Sequence, residues 1–214
     1  MQEKTLLVEL HHLPSVPYFV EVVKTDRLCI EVWENYQKQT CRNRCYILTA
    51  NKVQMLSVPV KNTGSKVLVR DIKIDYSQKW LPVHWRAIQS AYGKAPYFEY
   101  FSGYFKEILD KKHSFLFDLN IELLSLCLKL LSISREVTYT SGYGEVSGKA
   151  DTTVIDQRNN ILNYGENSNN LKEDSHVSYF QLFGSKFVPN LSIVDLLFNE
   201  GPEAKKILLD SVSN

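Results

Sequence analysis

"TLLVELHHLPSVPYFVEVVKTDRLCIEVW", residues 5–33, decides the fold. "TLLVEL" (5–10) is apolar and short enough for a buried strand, and "RLCIEVW" (27–33) alternates, with Leu28, Ile30 and Val32 on one face. Between them Pro14 and Pro17 precede apolar residues at Phe19, Val22 and Val23, the pattern of a loop entering a short helix. Strand, helix, strand is the unit that joins parallel neighbours. In open α/β sheets ligands gather at the carboxyl ends of such strands, which singles out His11 and His12, directly after the first one. An imidazole there could act as a general base or bind phosphate; an ordinary structural pair is the plainer alternative.

Outward from this opening, "CYILTANKVQMLSVPV" (45–60) reads as a hairpin turning at "TANK", and "KVLVRDIKID" (66–75) as one or two further strands. Pro82 suits the first turn of a helix through "VHWRAIQSAY", so Trp80 is expected to precede it; Pro96 does the same for "YFEYFSGYFKEIL". "SFLFDLNIELLSLCLKLLSI" is a third, strongly apolar helix. "REVTYT" (135–140) returns to a strand, residues 141–176 form a polar surface loop expected to be mobile, and "YFQLFG" is a last short strand. "NLSIVDLLFNEGPEAKKILLD" holds two short helices broken at Gly201-Pro202. The expected class is α/β: a mixed sheet with a βαβ opening, an antiparallel hairpin and a block of three helices mid-chain. One domain over 1–214 is expected, with 78–134 as a helical subdomain; no internal repeat is present.

The 214 residues suffice for a substantial core, and 44% hydrophobic with 23% charged residues is ordinary for a globular protein. Lys plus Arg number 25 against 24 Asp plus Glu, so no global field favours nucleic acid or an anionic membrane, and any anion site must be local. Lys129 interrupts the longest apolar run and "MQEKTLLVEL" is unlike a secretory signal, so no membrane insertion and a cytoplasmic location are expected. Four cysteines without framework spacing agree with reduced thiols.

"ENYQKQTCRNRC" (34–45) concentrates Lys38, Arg42 and Arg44 against Glu34. Arg forks bind carboxylate or phosphate, and on an extended chain Arg42 and Arg44 share a face while Asn43 points away, so the pair could clamp one anion. The plainer alternative is a solvated edge strand guarded by cations. Cys41-x-x-x-Cys45 lacks a second pair at zinc spacing, so neither metal nor cofactor is expected. In "WLPVHWRAIQSAYGKAPYFEY" the aromatics Trp80, Tyr92, Tyr97 and Phe98 read mostly as core. His84 and Arg86 are the better site candidates, because Trp85 and Ile88 are expected on a different stripe. Asn120 lies within an apolar helix and needs a partner, backbone or ligand. Ser192-x-x-Asp195 matches a capping box in outline; a Ser192/His84/Asp195 triad lacks a G-x-S-x-G elbow, and no Gly-rich phosphate cradle is present.

"ENYQKQTCRNRCYILTANKVQMLSVPV", "KWLPVHWRAIQSAYGKAPYFEYF", "FDLN" and "YFQLFGSKFVPNLSIVDLLFNEGP", in this order, resemble the WbqC-like protein family in its Bacteroidetes form, from about residue 5 to 209. The resemblance implies a role in O-antigen or other surface-polysaccharide biosynthesis, as a transferase of an acyl or aminoacyl group to an amino sugar or nucleotide-linked acceptor. It carries over Lys38, Arg42, Asn43, Arg44, Trp80, His84, Tyr92, Tyr97, Phe98, Asn120, Ser192 and Asp195. Many relatives open with His-Gln-Pro; aligning "PYF" without gaps puts Val8 at that His, with His11 and His12 further on. The expected roles are then His84 or His12 moving the proton, Arg42 and Arg44 binding an anionic substrate such as a sugar nucleotide or acyl donor, and Gln37 and Asn43 orienting it. The alternatives are a nucleotidyl-transferring α/β enzyme and a non-catalytic sugar-phosphate binding module.

Overall fold

The computed structural model describes residues 2–61, 66–146, 152–161, 163–165 and 178–213. The order is β1 (Glu3–Glu9), α1 (Val16–Val23), β2 (Arg27–Glu31), β3 (Arg44–Leu48), β4 (Val53–Ser57), α2 (Trp80–Tyr92), α3 (Phe98–Asp110), α4 (Leu116–Leu130), β5 (Glu136–Tyr139), β6 (Thr152–Asp156), α5 (Ile193–Glu200) and α6 (Ala204–Ser213). A four-stranded sheet runs β5-β2-β1-β6, and β3-β4 forms a separate two-stranded one. All three pairings in the larger sheet are parallel, with Leu6 beside Leu28, Val8 beside Ile30 and Glu9 beside Glu31. The mixed α/β class, the βαβ opening, the hairpin and the three-helix block are all present.

Parallel strands are covered on both faces, which is why their sequences run apolar without a break. Leu6, Leu7 and Val8 of β1 and Leu28, Cys29 and Ile30 of β2 are buried whichever way they point. α1 enters through Pro17 and buries Tyr18, Phe19 and Val22. α4 buries Leu116, Leu119, Leu123, Leu124, Cys127 and Leu128, the i, i+3, i+7 recurrence of one helical stripe, with Asn120 set among them.

Four local expectations are corrected. Residues 66–75 form no regular strand: Leu68, Lys73 and Ile74 make isolated bridges to Asn35, Phe115 and Val60, around a 3-10 turn at Val69–Asp71. Val69, Ile72 and Ile74 are buried, so the β-like apolar pattern serves the core without a ladder. The polar stretch 141–176 supplies β6, whose "TTVID" pairs with β1 as an edge strand; what remains of that loop at 147–151, 162 and 166–176 lies outside the described residues. "YFQLFG" is irregular, with Gln181 bonding side chain to backbone at Val188 in place of a ladder. α2 starts at Trp80, so Pro82 occupies its first turn and Trp80, His84 and Ile88 fall on one buried stripe. His84 therefore shares its face with Ile88, and Arg86 lies on the exposed side.

Candidate functional site at the carboxyl edge of the parallel sheet

β1 and β2 each end in a glutamate, paired across the ladder and buried. A carboxylate there is tolerable only with partners. Glu31 accepts from the Trp33 backbone N–H (2.8 Å), the Thr140 hydroxyl (2.9 Å), the Gly144 N–H (2.7 Å) and the Arg158 guanidinium (2.9 Å). Gly144, at φ 74°, holds a conformation that glycine adopts freely, and so brings its N–H to the carboxylate. Glu9 bonds the His11 ring (3.0 Å) and accepts from the Asn159 N–H (3.0 Å). Burial alone would raise the Glu9 carboxyl; its bond and attraction to His11, then Arg42 and the Asn159 N–H, outweigh burial and hold it down at about 2.

Beyond β1 the chain turns sharply. Leu13 lies at φ 44°, a left-handed conformation costly for a branched residue, and is fixed by the Ser192 hydroxyl donating to its carbonyl (2.9 Å). The backbone N–H of His12 donates to the Cys41 carbonyl (2.8 Å), tying the histidine turn to the basic stretch. Asn120 of α4 reaches the same place: its amide N–H donates to the Arg42 carbonyl (2.8 Å), so its oxygen faces His12 Nδ1 (2.9 Å). His12 Nδ1 must then carry the hydrogen, which leaves Nε2 with a lone pair that can accept from His84. That Nε2 lies 3.3 Å from His84 Nε2, and the Trp80 ring packs edge-on against His84 at 5.3 Å. Burial, partly offset by the Asn120 bond, lowers His12 to about 4; burial and the neighbouring His12 also hold His84 well below the ordinary imidazole value. Both rings are neutral at pH 7.

Arg42 lies 2% exposed, and its fork grips Glu34 through Nε (2.6 Å) and Nη2 (2.5 Å), with Nη2 also on Asn159 Oδ1 (3.1 Å). Burial pulls its pKa down, but Glu34 more than compensates. This fork belongs to the scaffold, so Arg42 and Arg44 do not converge on one vacant anion clamp. Arg44 lines a narrow crevice with His12, Cys41, Cys45, Asn190 and Ser192, and its buried Nε has no hydrogen-bond partner. Asn43 is turned inward to the Val58 carbonyl (2.8 Å), while Gln37 and Lys38 are exposed.

Tyr92 and Asp195 form a separate buried knot: Tyr92 and Tyr179 hydroxyls and the Gln181 amide donate to Asp195 at 2.8, 2.9 and 3.0 Å. Ser192 caps α5 through the Val194 N–H (3.5 Å), yet Asp195 turns to the tyrosines, so the capping box stays half made and no Ser192/His84/Asp195 triad forms. Arg86 bonds the Pro82 carbonyl on the surface of α2 (3.2 Å), away from the histidine pair's face. The structure thus joins His12, His84, Asn120, Trp80 and the backbone of Arg42.

Sequence reasoning passed over Glu9, Glu31, Arg158 and Asn159 as site residues, and set Cys45 aside on its spacing to Cys41. The glutamates had a signal, a lone acid closing each apolar strand; the neighbours of Cys45, His12 and His84, come from other segments, so no spacing records their meeting. No disulfide forms among the cysteines, and among the described residues no helix is long and apolar enough to cross a membrane.

An uncharacterised protein of Mycobacterium tuberculosis strain ATCC 25618 / H37Rv, Rv1507c, is 29% identical over 227 residues, spanning 96% of this chain and 97% of its own length. No solved structure matches significantly. The profile of the WbqC-like protein family matches residues 11–163 and 163–207, a span that takes in His11, His12, the basic stretch, His84, Asn120 and Ser192, and the chain belongs to that family.

Proposed function

We propose that the chain is a transferase that moves an acyl or aminoacyl group onto an amino sugar or a nucleotide-linked acceptor, in the assembly of surface polysaccharide such as O-antigen. One observation carries the reading: a neutral imidazole with an oriented lone pair, His12, lines the same crevice as a guanidinium N–H that lacks a partner, Arg44. The first group can take a proton, the second can hold an anion. In this reading the acceptor amine attacks the donor carbonyl carbon. The new C–N bond forms, the bond to the donor's leaving group breaks, and the amine proton passes to the His12–His84 pair. Arg44 holds the phosphate or carboxylate of the substrate, with the exposed Gln37 and Lys38 at the approach. Arg42 acts from behind, keeping the Asn120–His12 chain in place.

The test incubates the protein with pairs of nucleotide-linked amino sugars and amino-acid or acyl donors and reads the acceptor's gain in mass. His12→Ala should cut the rate by about 100-fold or more. Arg44→Ala should weaken sugar-nucleotide binding by about tenfold, some 1.4 kcal/mol. Absence of transfer in every pair, or full rates in both variants, overturns the reading.

The β1–α1–β2 unit with histidines just beyond β1 favours a second reading, nucleotidyl transfer. A thermal shift with ATP or CTP plus magnesium, absent with the acyl donors, would favour it. Intact function in both His12→Ala and His84→Ala would instead point to a binding module.

A further inference from the structure

His12, Cys45 and His84 present one potential ligand atom each, all within 4.8 Å of one another, and all three residues are buried. They come from the turn after β1, from β3 and from α2, three segments with no sequence spacing in common. We infer that these side chains form a site for a divalent cation of the zinc class, with three protein ligands and its fourth position on the side of the crevice.

The distances carry the inference. Tetrahedral coordination with Zn–N bonds of about 2.0–2.1 Å puts two ligand nitrogens about 3.3 Å apart, and with Zn–S of about 2.3 Å puts nitrogen and sulfur about 3.6 Å apart. The two Nε2 atoms stand at 3.3 Å, and the thiol lies within about 1.2 Å of the required separation. The outer contacts point the same way. Histidine ligands characteristically donate their other ring N–H to a fixed acceptor, and His12 does so to Asn120, itself pinned by the Arg42 carbonyl. Two nitrogens and one sulfur are borderline-soft donors suited to zinc, whereas an oxygen cage would suit magnesium or calcium. Three protein ligands with a vacant direction is the pattern of catalytic rather than structural zinc. The crevice, lined by His12, Cys45 and Arg44, borders two of the three ligands.

Binding releases the Cys45 thiol proton to solvent and moves the hydrogen of His84 from Nε2 to Nδ1, leaving both Nε2 lone pairs on the cation. The site stands on this geometry alone. Its use in transfer rests on the reading above, with the cation's fourth position polarising the donor carbonyl and the amine proton passing to water in place of the imidazoles.

The experiment needs no substrate, so its failure is distinct from failure of the transferase reading. Full-length protein, stripped with a chelator and dialysed against zinc, should retain one zinc per chain by elemental mass spectrometry. Cobalt should give four-coordinate visible bands and a near-ultraviolet thiolate charge-transfer band. Cys45→Ser should abolish the charge-transfer band and Cys41→Ser should keep it. Zinc should slow alkylation of Cys45 by iodoacetamide at least tenfold in the wild-type chain, a readout independent of whether the variants fold. Folded wild-type protein that retains no zinc, a cobalt spectrum without the thiolate band, or equal alkylation with and without zinc overturns the site.

Discussion

Asn120 is the residue on which the site's chemistry turns, because one amide sets both the His12 tautomer and the position of the Arg42 backbone. Asn120→Leu keeps the volume and removes both bonds. Leaving a buried carbonyl and a ring N–H without partners should cost about 2–4 kcal/mol in urea unfolding. Arg42→Ala belongs to the same scale: it strands the Glu34 carboxylate, 5% exposed, and should destabilise by about 3–5 kcal/mol. Arg42→Met with Glu34→Gln should recover most of that loss, whereas a substrate-binding Arg42 would lose activity with little change in stability. Glu9 gives the pH signature. Its carboxylate faces His11, Arg42 and the Asn159 N–H, and its pKa is held at about 2 against an ordinary 4.5. A depressed carboxylate contributes stability that is complete above about 4.5 and lost as pH falls towards 2, on the order of 3 kcal/mol. Chemical unfolding across that window should show this slope in the wild type, and Glu9→Gln should flatten it.

Among elements, the turn from α5 to α6 shows how tightly the helices are set. Gly201 closes α5 at φ 53°, and a Cβ built there would come within 2.4 Å of the Tyr97 ring. Gly201→Ala combines a left-handed strain of about 1–2 kcal/mol with an aromatic clash, and a thermal melt should drop by several degrees at least. The βαβ opening, the hairpin and the helices were legible because their signals are local: apolar runs, prolines at helix starts, a Gly-Pro break. β6 was not, since an edge strand with one wet face carries Thr152, Thr153 and Asp156 among few aliphatics, and its placement depends on β1 having an unpaired side. Residues 66–75 erred in the opposite direction, because Val69, Ile72 and Ile74 are buried by packing alone and so imitate a strand. In α2 Pro82 does sit in the first turn, as its sequence position suggests, but at the third helical residue, so that Trp80 opens the helix and packs edge-on against His84.

Across the whole molecule, the parallel sheet gathers at one edge what the chain scatters over nearly 150 residues: Glu9, His12, Glu31, Arg42, His84, Asn120 and Asn159. Sequence could nominate His12, His84 and Asn120 separately, by chemistry and family resemblance, but their meeting depends on tertiary packing that no spacing records. The same limit explains the basic stretch, where Arg42 and Arg44 are alike in sequence and opposite in duty, one locked on Glu34 and the other facing the crevice. The account turns on the state of one ring, and long-range nitrogen–proton NMR of the chain labelled at histidine nitrogens reads that state without any substrate. At pH 7 His12 should show hydrogen on Nδ1 and none on Nε2, and Asn120→Leu should abolish the preference. A doubly protonated His12, or hydrogen on Nε2 with Asn120 in place, would contradict the account.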